Sequence, residues 1–502
     1  MTGSKIEQLF CAGFNQAVFR NFSMNANYRN VSSPGFYQNQ SNKIRNYNAG
    51  LSYKSNNKKY YAKLSYKYAK ISEGVNGGLE IDSTIEKISN NQGNGLSINL
   101  PDANVLLKRK YFVFDQFLSF GRMLNDSTSK TQRYYLNLKK ASQTTELEKY
   151  YYIYSSKTIN PNFYKNSYLD SSSTYDSLFF FKFLNSILFQ FAIGNQDTNR
   201  VGLDLRYSNE LENYHNSINE KKSYLLNRVG AKIYNRSASR YAFAEGNYTY
   251  ENRLKSAYQF KLYAEKNVLT YTSKFVTKGF VSMEILNIYP SLISSEYYSN
   301  HFIWKNKLKN ERIGELKLGL SFLKNIINIV FSEKRIQNYI YYDTSALPAQ
   351  FGADINVFSS EFSVNYNFYK SWNFYNKSLF QFSSNKKIFV VSDFTSYSSL
   401  YYERNFFNNA MKSSIGIGGN YFSSYYANAF MPATSHFYQQ DAIKIGNYPF
   451  VDFFINFRIK TAIFFIKVEH LNSGISKANY FYVPHLPTPG RTLKVGVDWT
   501  LP

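Results

Sequence analysis

The chain has 502 residues, including 47 Tyr and 44 Phe, and its formal net charge is +25. Aromatic residues make up 19% of the chain, yet its mean hydropathy is only −0.42. This combination argues against a soluble helical enzyme and favours strands in which apolar and polar residues alternate, as a transmembrane barrel requires. A soluble β-rich repeat protein is the other reading that the composition allows.

The charge and the single cysteine narrow the classes of partner and cofactor. Cys11 is the only cysteine, so an intrachain disulfide and a cysteine metal cluster are excluded. Lys and Arg are spread through the chain without a nucleic-acid motif, which argues against nucleic acid as a partner. We expect instead outer-membrane lipid and lipopolysaccharide as anionic partners. Residues 1–8 are polar, so no secretory leader is expected within this chain.

The first strands to appear in the sequence form hairpins. Tyr47, Ala49, Leu51 and Tyr53 alternate with polar residues, and a second alternating run begins at Tyr60 after a short polar turn. Strand, tight turn and strand is the pattern of a β-hairpin.

Residues 72–104 are different, because they are rich in Gly, Asn, Asp and Ser and show weak periodicity. They predict a long loop, and loops of this length are usually functional or mobile.

Alternation with a period of two resumes after residue 111 and continues almost to the end of the chain. Leu316, Leu318 and Leu320 are one example, and residues 178–193 are predicted to form a strand rather than a membrane helix. Runs of about 9–11 residues match transmembrane strands. We therefore predict an all-β fold, one large antiparallel transmembrane β-barrel of roughly 22–26 strands. It would span residues 1–502 with long loops on one side and no separate plug domain.

Residues that could carry catalysis or hold a metal are not arranged for either task. The five histidines lack metal-ligand spacing and are expected at the surface or in the lumen. No Gly-x-Ser-x-Gly motif occurs. We expect no enzymatic activity, no catalytic, metal-binding or cofactor-binding residue, and no cofactor.

Charged residues on the polar phase of the strands are the candidate functional residues. A Lys or Arg that points into lipid at mid-depth costs about 2–4 kcal/mol, so these side chains are expected to line the water-filled lumen. The pore-lining candidates are Arg458, Lys460, Lys467, Glu469, Lys494, Asp498, Asp204, Arg206, Glu315 and Lys317.

Three segments of the last fifty residues carry a family resemblance, namely 448–460, 465–472 and 489–499. Together with residues 35–40 and the Gly-Asn-rich loop near Asn76, they resemble the outer-membrane porin family of Bacteroidetes-type bacteria. The Pro-Gly-Arg-Thr run at 489–492 is shared with TonB-dependent receptors of the same membranes. The resemblance implies an outer-membrane β-barrel, a client of the barrel-assembly machinery, without catalytic residues.

The main functional hypothesis from the sequence is a porin-like channel of the outer membrane for passive diffusion of small hydrophilic solutes. A basic lumen would favour anionic ones. One alternative is the barrel part of a TonB-dependent receptor, and another is a scaffold barrel of the outer membrane without a transport role.

Overall fold

The computed structural model describes most of the chain. The described residues are 2–3, 7–80, 96–120, 123–124, 135–136, 138–195, 199–218, 220–251, 256–269, 277–323, 325–475 and 481–500.

Nearly all of the regular structure is β-strand, and the one helix in the described residues is α1 (Leu292–Ser295). The strands are β1 (Thr2–Gly3), β2 (Gln8–Phe19), β3 (Phe22–Ser33), β4 (Asn42–Lys54), β5 (Tyr60–Gly74), β6 (Asn104–Ser119), β7 (Met123–Leu124), β8 (Tyr135–Leu136), β9 (Leu138–Ser156), β10 (Thr174–Asn195), β11 (Asn199–His215), β12 (Lys221–Ser237), β13 (Arg240–Tyr250), β14 (Ala257–Leu269), β15 (Thr277–Ile288), β16 (Glu296–Tyr298), β17 (Ile303–Lys305), β18 (Glu311–Phe322), β19 (Ile327–Gln337), β20 (Tyr339–Tyr342), β21 (Pro348–Phe351), β22 (Ile355–Phe368), β23 (Trp372–Ser383), β24 (Phe394–Phe406), β25 (Met411–Phe422), β26 (Ala429–Met431), β27 (His436–Tyr438), β28 (Phe450–Ile459), β29 (Ala462–Glu469), β30 (Phe481–Val483), β31 (Leu486–Pro487) and β32 (Thr492–Trp499).

One large antiparallel sheet organises these strands, and it contains 22 strands among the described residues. Its long strands pair with their neighbours in chain order, while five two-stranded hairpins lie in the connections. Strand β1 pairs with both β2 and β32, because Thr2 lies opposite Gln8 on one side and opposite Val495 on the other. The predicted all-β class and large antiparallel sheet are confirmed.

The window 178–193 lies within β10, as its period of two predicted. Within the described residues, no helix has both the length and the apolar composition that crossing a membrane would need.

The two faces of the sheet differ in chemistry. The outer face carries the apolar phase of the strands: Leu316, Leu318 and Leu320 are 43–49% exposed, and Val497 and Trp499 are 56% and 65% exposed. A soluble protein rarely exposes so much contiguous apolar surface. No other described element covers this face, so the apolar phase is available to membrane hydrocarbon, as the alternation predicted.

The connections differ between the two ends of the strands. Short turns such as Arg20-Asn21, Ala238-Ser239 and Lys460-Thr461 join hairpins at one end. At the other end, here called the loop end, the connections include 75–103, 157–173, 289–310, 423–449 and 470–491. The predicted loop 72–104 begins and ends within β5 and β6, and its residues 81–95 lie outside the described part of the chain.

Glycines on the inner face leave room for aromatic rings on the neighbouring strand. Gly319 in β18 lies opposite Phe280 in β15, and a Cβ at Gly319 would come within 1.9 Å of Phe280 Cε1. Gly202 lies opposite Tyr234 in the same way, with 2.2 Å between such a Cβ and Cζ of the ring. The ring lies over the backbone of the glycine, in the space that the side chain of a larger residue would occupy. This contact holds the two strands in register.

Replacing this glycine should therefore destabilise the sheet. We expect Gly319→Ala to lower the stability of the folded protein by about 1–3 kcal/mol, because the Phe280 ring must leave its rotamer. The measurement is the unfolding temperature in detergent, read from the heat-dependent shift of the folded band on a gel.

Gly314→Ala is the matched control on the same strand, since no atom lies within 4 Å of a Cβ added there. It should leave the unfolding temperature unchanged. Equal shifts for the two variants would contradict the role assigned to the Phe280 ring.

Candidate functional site: the inner face and the cap over it

The inner face carries ion pairs, some between neighbouring strands and some between residues of one strand. Lys467 Nζ lies 2.9 Å from Asp452 Oδ2 and 3.1 Å from Glu469 Oε1. Lys494 Nζ lies 2.7 Å from Glu469 Oε2 and 3.8 Å from Glu7 Oε2. Three of the sequence-predicted residues, Lys467, Glu469 and Lys494, are thus brought into one network beside the strand pair that links the two ends of the chain.

A second network contains two more of the predicted residues. The Glu315 carboxylate forms salt bridges with Lys317 Nζ at 2.8 Å and with Lys334 Nζ at 3.3 Å. Because each lysine has a carboxylate beside it, the field of these inner-face cations is partly cancelled locally.

The other predicted residues are scattered. Asp204 accepts a hydrogen bond from Gln190 Nε2 at 3.3 Å, and Arg206 lines a cavity of about 510 Å³. Arg458 Nε donates to the carbonyl of Lys460 at 3.4 Å, and Lys460 lies in the turn after β28 with a φ of 51°. Asp498 is exposed near the end of β32. The structure thus does not join the ten residues into a single site.

The loop end holds a buried cluster that we call the cap. It forms where connections from distant parts of the sheet pack on one another, and most of its large members are aromatic. Its buried residues are Leu100, Ala103, Val105, Tyr152, Tyr154, Tyr164, Leu178, Tyr214, Tyr297, Trp304, Ala346, Met431 and Ala433.

Two tyrosine hydroxyls tie the cap across the sheet. Tyr152 Oη, at the loop end of β9, donates to the carbonyl of Pro432 at 3.0 Å, and Tyr297 Oη donates to the carbonyl of Ala433 at 3.0 Å. Pro432 and Ala433 belong to the connection after β25, about half the sheet away from β9 along the ladder. Connections from distant strands therefore meet over the inner face.

Stacked rings stabilise the same contact. Trp304 stacks on Tyr297 with 4.8 Å between ring centroids, and its indole Nε1 donates to the carbonyl of Ile293 at 2.7 Å. Only 1% of Tyr297 and 6% of Trp304 is exposed, so both bury large apolar areas within the cap.

A cluster of buried polar groups lies beside these rings. The Asn300 backbone N–H donates to Asp176 Oδ1 at 2.8 Å, while Asp176 Oδ2 is buried without a hydrogen-bond partner. Asp176 lies at the loop end of β10, and burial raises the pKa of its carboxyl to about 6. The ionised carboxylate is thus disfavoured in the closed cap.

His301 belongs to the same cluster of buried polar groups. Its ring stacks on Tyr164 with centroids 3.8 Å apart, and its Nε2 is 2.8 Å from Thr174 Oγ1. Burial lowers the pKa of His301, so the ring is neutral in the cap near neutral pH. The expectation that every histidine lies at the surface or in the lumen is wrong for His301 and His470, which are 3% and 4% exposed. Each fills a packed contact between connections, where its ring nitrogens find partners.

A cavity of about 320 Å³ opens among the cap connections. Its lining combines polar and aromatic groups from separate loops, which include Asn76, Asn99, Phe163, Tyr438 and His485. This mixture resembles small-molecule sites, in which a mostly apolar wall carries a few placed polar groups.

Strand alternation and motifs did not point to the cap residues. Composition indicated one long loop, whereas the cap draws on several connections, including 289–310 with Phe302 and Trp304. Aromatic residues inside predicted loops, away from any alternating strand, were the available signal.

Solved outer-membrane proteins have a similar fold. The ferric preacinetobactin receptor BauA from Acinetobacter baumannii shares 11% identity, with 99% of this chain and 78% of that chain covered and a TM-score of 0.62. The copper transporter OprC shares 10% identity, with 99% and 78% covered and a TM-score of 0.68. The ferric-catecholate import receptor Fiu from E. coli shares 10% identity, with 99% and 80% covered and a TM-score of 0.63. No curated protein matches the sequence significantly.

These findings correct the main functional hypothesis from the sequence. A porin-like channel for passive diffusion is wrong for this chain, because the solved structures that share its fold are named as receptors and a transporter. The cap gives a physical reason that agrees with them: Tyr152 and Tyr297 join loops over the end through which solutes would have to diffuse.

A family model supplies the remaining comparison, and it places the chain, like its structural relatives, in the bacterial outer membrane. That model is described as "Putative porin" and matches residues 1–501, so the chain belongs to this family of outer-membrane proteins.

Proposed function

We propose that the chain is the barrel part of a TonB-dependent receptor, a gated importer of a small solute across the bacterial outer membrane. The observation that carries this proposal is the bonding of Tyr152 and Tyr297 to the far loop, which covers the loop end. An importer that must bind before it admits a solute needs such a cover, whereas a diffusion pore does not.

The proposal includes closure of the sheet into one transmembrane barrel over residues 1–502. The pairing of Thr2 with both Gln8 and Val495 supports closure, because it joins the first long strand to the last. Closure is also needed in lipid, where an open sheet edge would leave backbone groups without partners.

The solute would bind first at the loop end and then pass along the inner face. The cavity of about 320 Å³ among the cap connections is our candidate for the first site. The ten charged residues predicted from the sequence stay our candidates for lining the passage below it. Membrane lipid, the barrel-assembly machinery and the lack of enzymatic activity also stay predictions.

Loosening the cap should open the barrel. In planar bilayers we expect little steady conductance from the wild type and at least about a tenfold increase for Tyr297→Ala with Trp304→Ala. Truncating a buried aromatic costs about 3–5 kcal/mol, and about 1.4 kcal/mol already shifts an equilibrium tenfold.

The control replaces Tyr369 and Phe407 with Ala, since both lie in short turns at the opposite end and are 89% and 76% exposed. This variant should conduct like the wild type. A wild type that is already open, or a folded cap variant that stays closed, would refute gating by the cap.

The buried carboxyl predicts a pH response of the cap. The pKa of Asp176 is about 6 in the closed cap and lower when exposed to water. Stability of the cap should therefore rise as pH falls from 7 through 6, because protonation removes a buried charge. His301 and His436, whose pKa values burial lowers, act in the opposite direction, so the comparison must be with a variant.

Asp176→Asn keeps an acceptor for the Asn300 N–H and removes the charge. Its cap peptides should exchange hydrogen more slowly than those of the wild type at pH 7, and the difference should shrink at pH 5, after correction for intrinsic rates. Asp170→Asn, at an exposed carboxyl whose pKa hydrogen bonds from Ser172 and Ser173 lower, should show no such difference. An unchanged difference between pH 7 and pH 5 would contradict the assignment.

A further inference from the structure

On the outer face near the loop end, tyrosine, apolar and basic residues lie in separate rows across the strands. Tyr28, Tyr47 and Tyr68 lie opposite one another on β3, β4 and β5, with ring centroids 5.0 Å and 5.9 Å apart. Apolar residues of the same phase, such as Leu51, continue from this row toward the short turns. Tyrosine rows of this kind mark the membrane–water interface.

Basic residues follow at the next positions toward the loops. Arg45 lies opposite Lys70, and Lys70 lies opposite Lys108, on three successive strands. Lys110 lies opposite Lys149 on the next pair. All share the phase of the apolar residues and therefore project from the outer face. We call this set the outer basic patch, and its residues are Lys43, Arg45, Lys70, Lys108, Lys110 and Lys149.

The patch differs in charge balance from the inner-face networks around Lys467 and Glu315. On the inner face, lysines such as Lys467 and Lys317 lie within 3.1 Å of a carboxylate. No patch residue forms an ion pair with a carboxylate of the described chain; Lys149 Nζ instead lies 5.9 Å from the centroid of the Phe181 ring. Like charges directly opposite on neighbouring strands repel. The balancing negative charge is therefore expected from outside the protein.

The position of the patch identifies what supplies that charge. It begins at the level of the tyrosine row, where Lys110 lies opposite Tyr68, and extends beyond that row toward the long loops, which face the outside of the cell in outer-membrane barrels. Basic side chains at this level attract anionic lipid headgroups. Side by side, Arg45, Lys70 and Lys108 suit a ligand with more than one phosphate, since guanidinium and ammonium groups both bind phosphate oxygens.

We propose that the outer basic patch binds the phosphate groups of a phosphorylated glycolipid in the outer leaflet. The binding is independent of the uptake function proposed above, because it requires only that the outer face contact the membrane. It would anchor the loop end at a fixed depth and relieve the repulsion between Arg45, Lys70 and Lys108.

The test compares two variants of the full chain in detergent, each lacking one Arg and two Lys. The outer variant carries Arg45→Gln, Lys70→Gln and Lys108→Gln. The inner variant carries Arg29→Gln, Lys63→Gln and Lys67→Gln, which lie on β3 and β5 with the opposite phase. The probes are bisphosphorylated lipid A, dephosphorylated lipid A and inorganic pyrophosphate, with binding measured by native mass spectrometry and by titration.

The wild type and the inner variant should bind bisphosphorylated lipid A alike and should bind the dephosphorylated lipid far more weakly. The outer variant should lose roughly 100-fold in affinity for the phosphorylated lipid, since each basic group near an anionic surface contributes about 1 kcal/mol. Pyrophosphate should compete weakly, because it lacks the acyl chains that the apolar band contacts.

Three results would overturn the proposal. The first is equal binding of the two lipids by the wild type, a comparison that needs no variant to fold. The second is an equal loss of affinity in the outer and inner variants when both show the heat-dependent gel shift of folded protein. The third is pyrophosphate binding as tight as lipid binding, which would indicate a site for free anions.

Discussion

Backbone hydrogen bonding between neighbouring strands is the constraint on which the structure depends. In hydrocarbon no water can satisfy an exposed N–H or carbonyl group, so strands must pair on both sides. The antiparallel ladder meets that demand in chain order, and Thr2 links its first long strand to its last. Once the ladder exists, the period of two separates the side chains into an apolar outer face and a charged inner face.

The inner face and the cap are stabilised by different interactions. Several charges on the inner face form ion pairs, as in the network around Lys467 and Glu469, and each pair cancels part of the field of its lysine. The cap joins connections at the loop end, and under the gated uptake that we propose it would also have to open. Its closure depends on a small number of tyrosine hydroxyls and stacked rings, together with a buried carboxyl, Asp176, that is costly to ionise.

Family membership and fold similarity give different information about this chain. The family description refers to porins, while the solved structures with the same fold are named as receptors and a transporter. The two agree on an outer-membrane sheet protein and differ on the mode of passage. Our proposal of gated uptake rests on the cap, because the hydrogen bonds from Tyr152 and Tyr297 are a property of this chain itself.

How much the sequence could predict follows from the range of each interaction. Alternation such as Leu316, Leu318 and Leu320 is local, so the β-class, the two faces and the outward position of the apolar phase were determined by the sequence alone. The pairing of Lys467 with Asp452 on the neighbouring strand needed the strand register as well. The cap could not be predicted, since Tyr152 and Pro432 are 280 positions apart and no local period connects them. Contacts between irregular loops depend on where the whole sheet places their ends, and only the tertiary structure decides that.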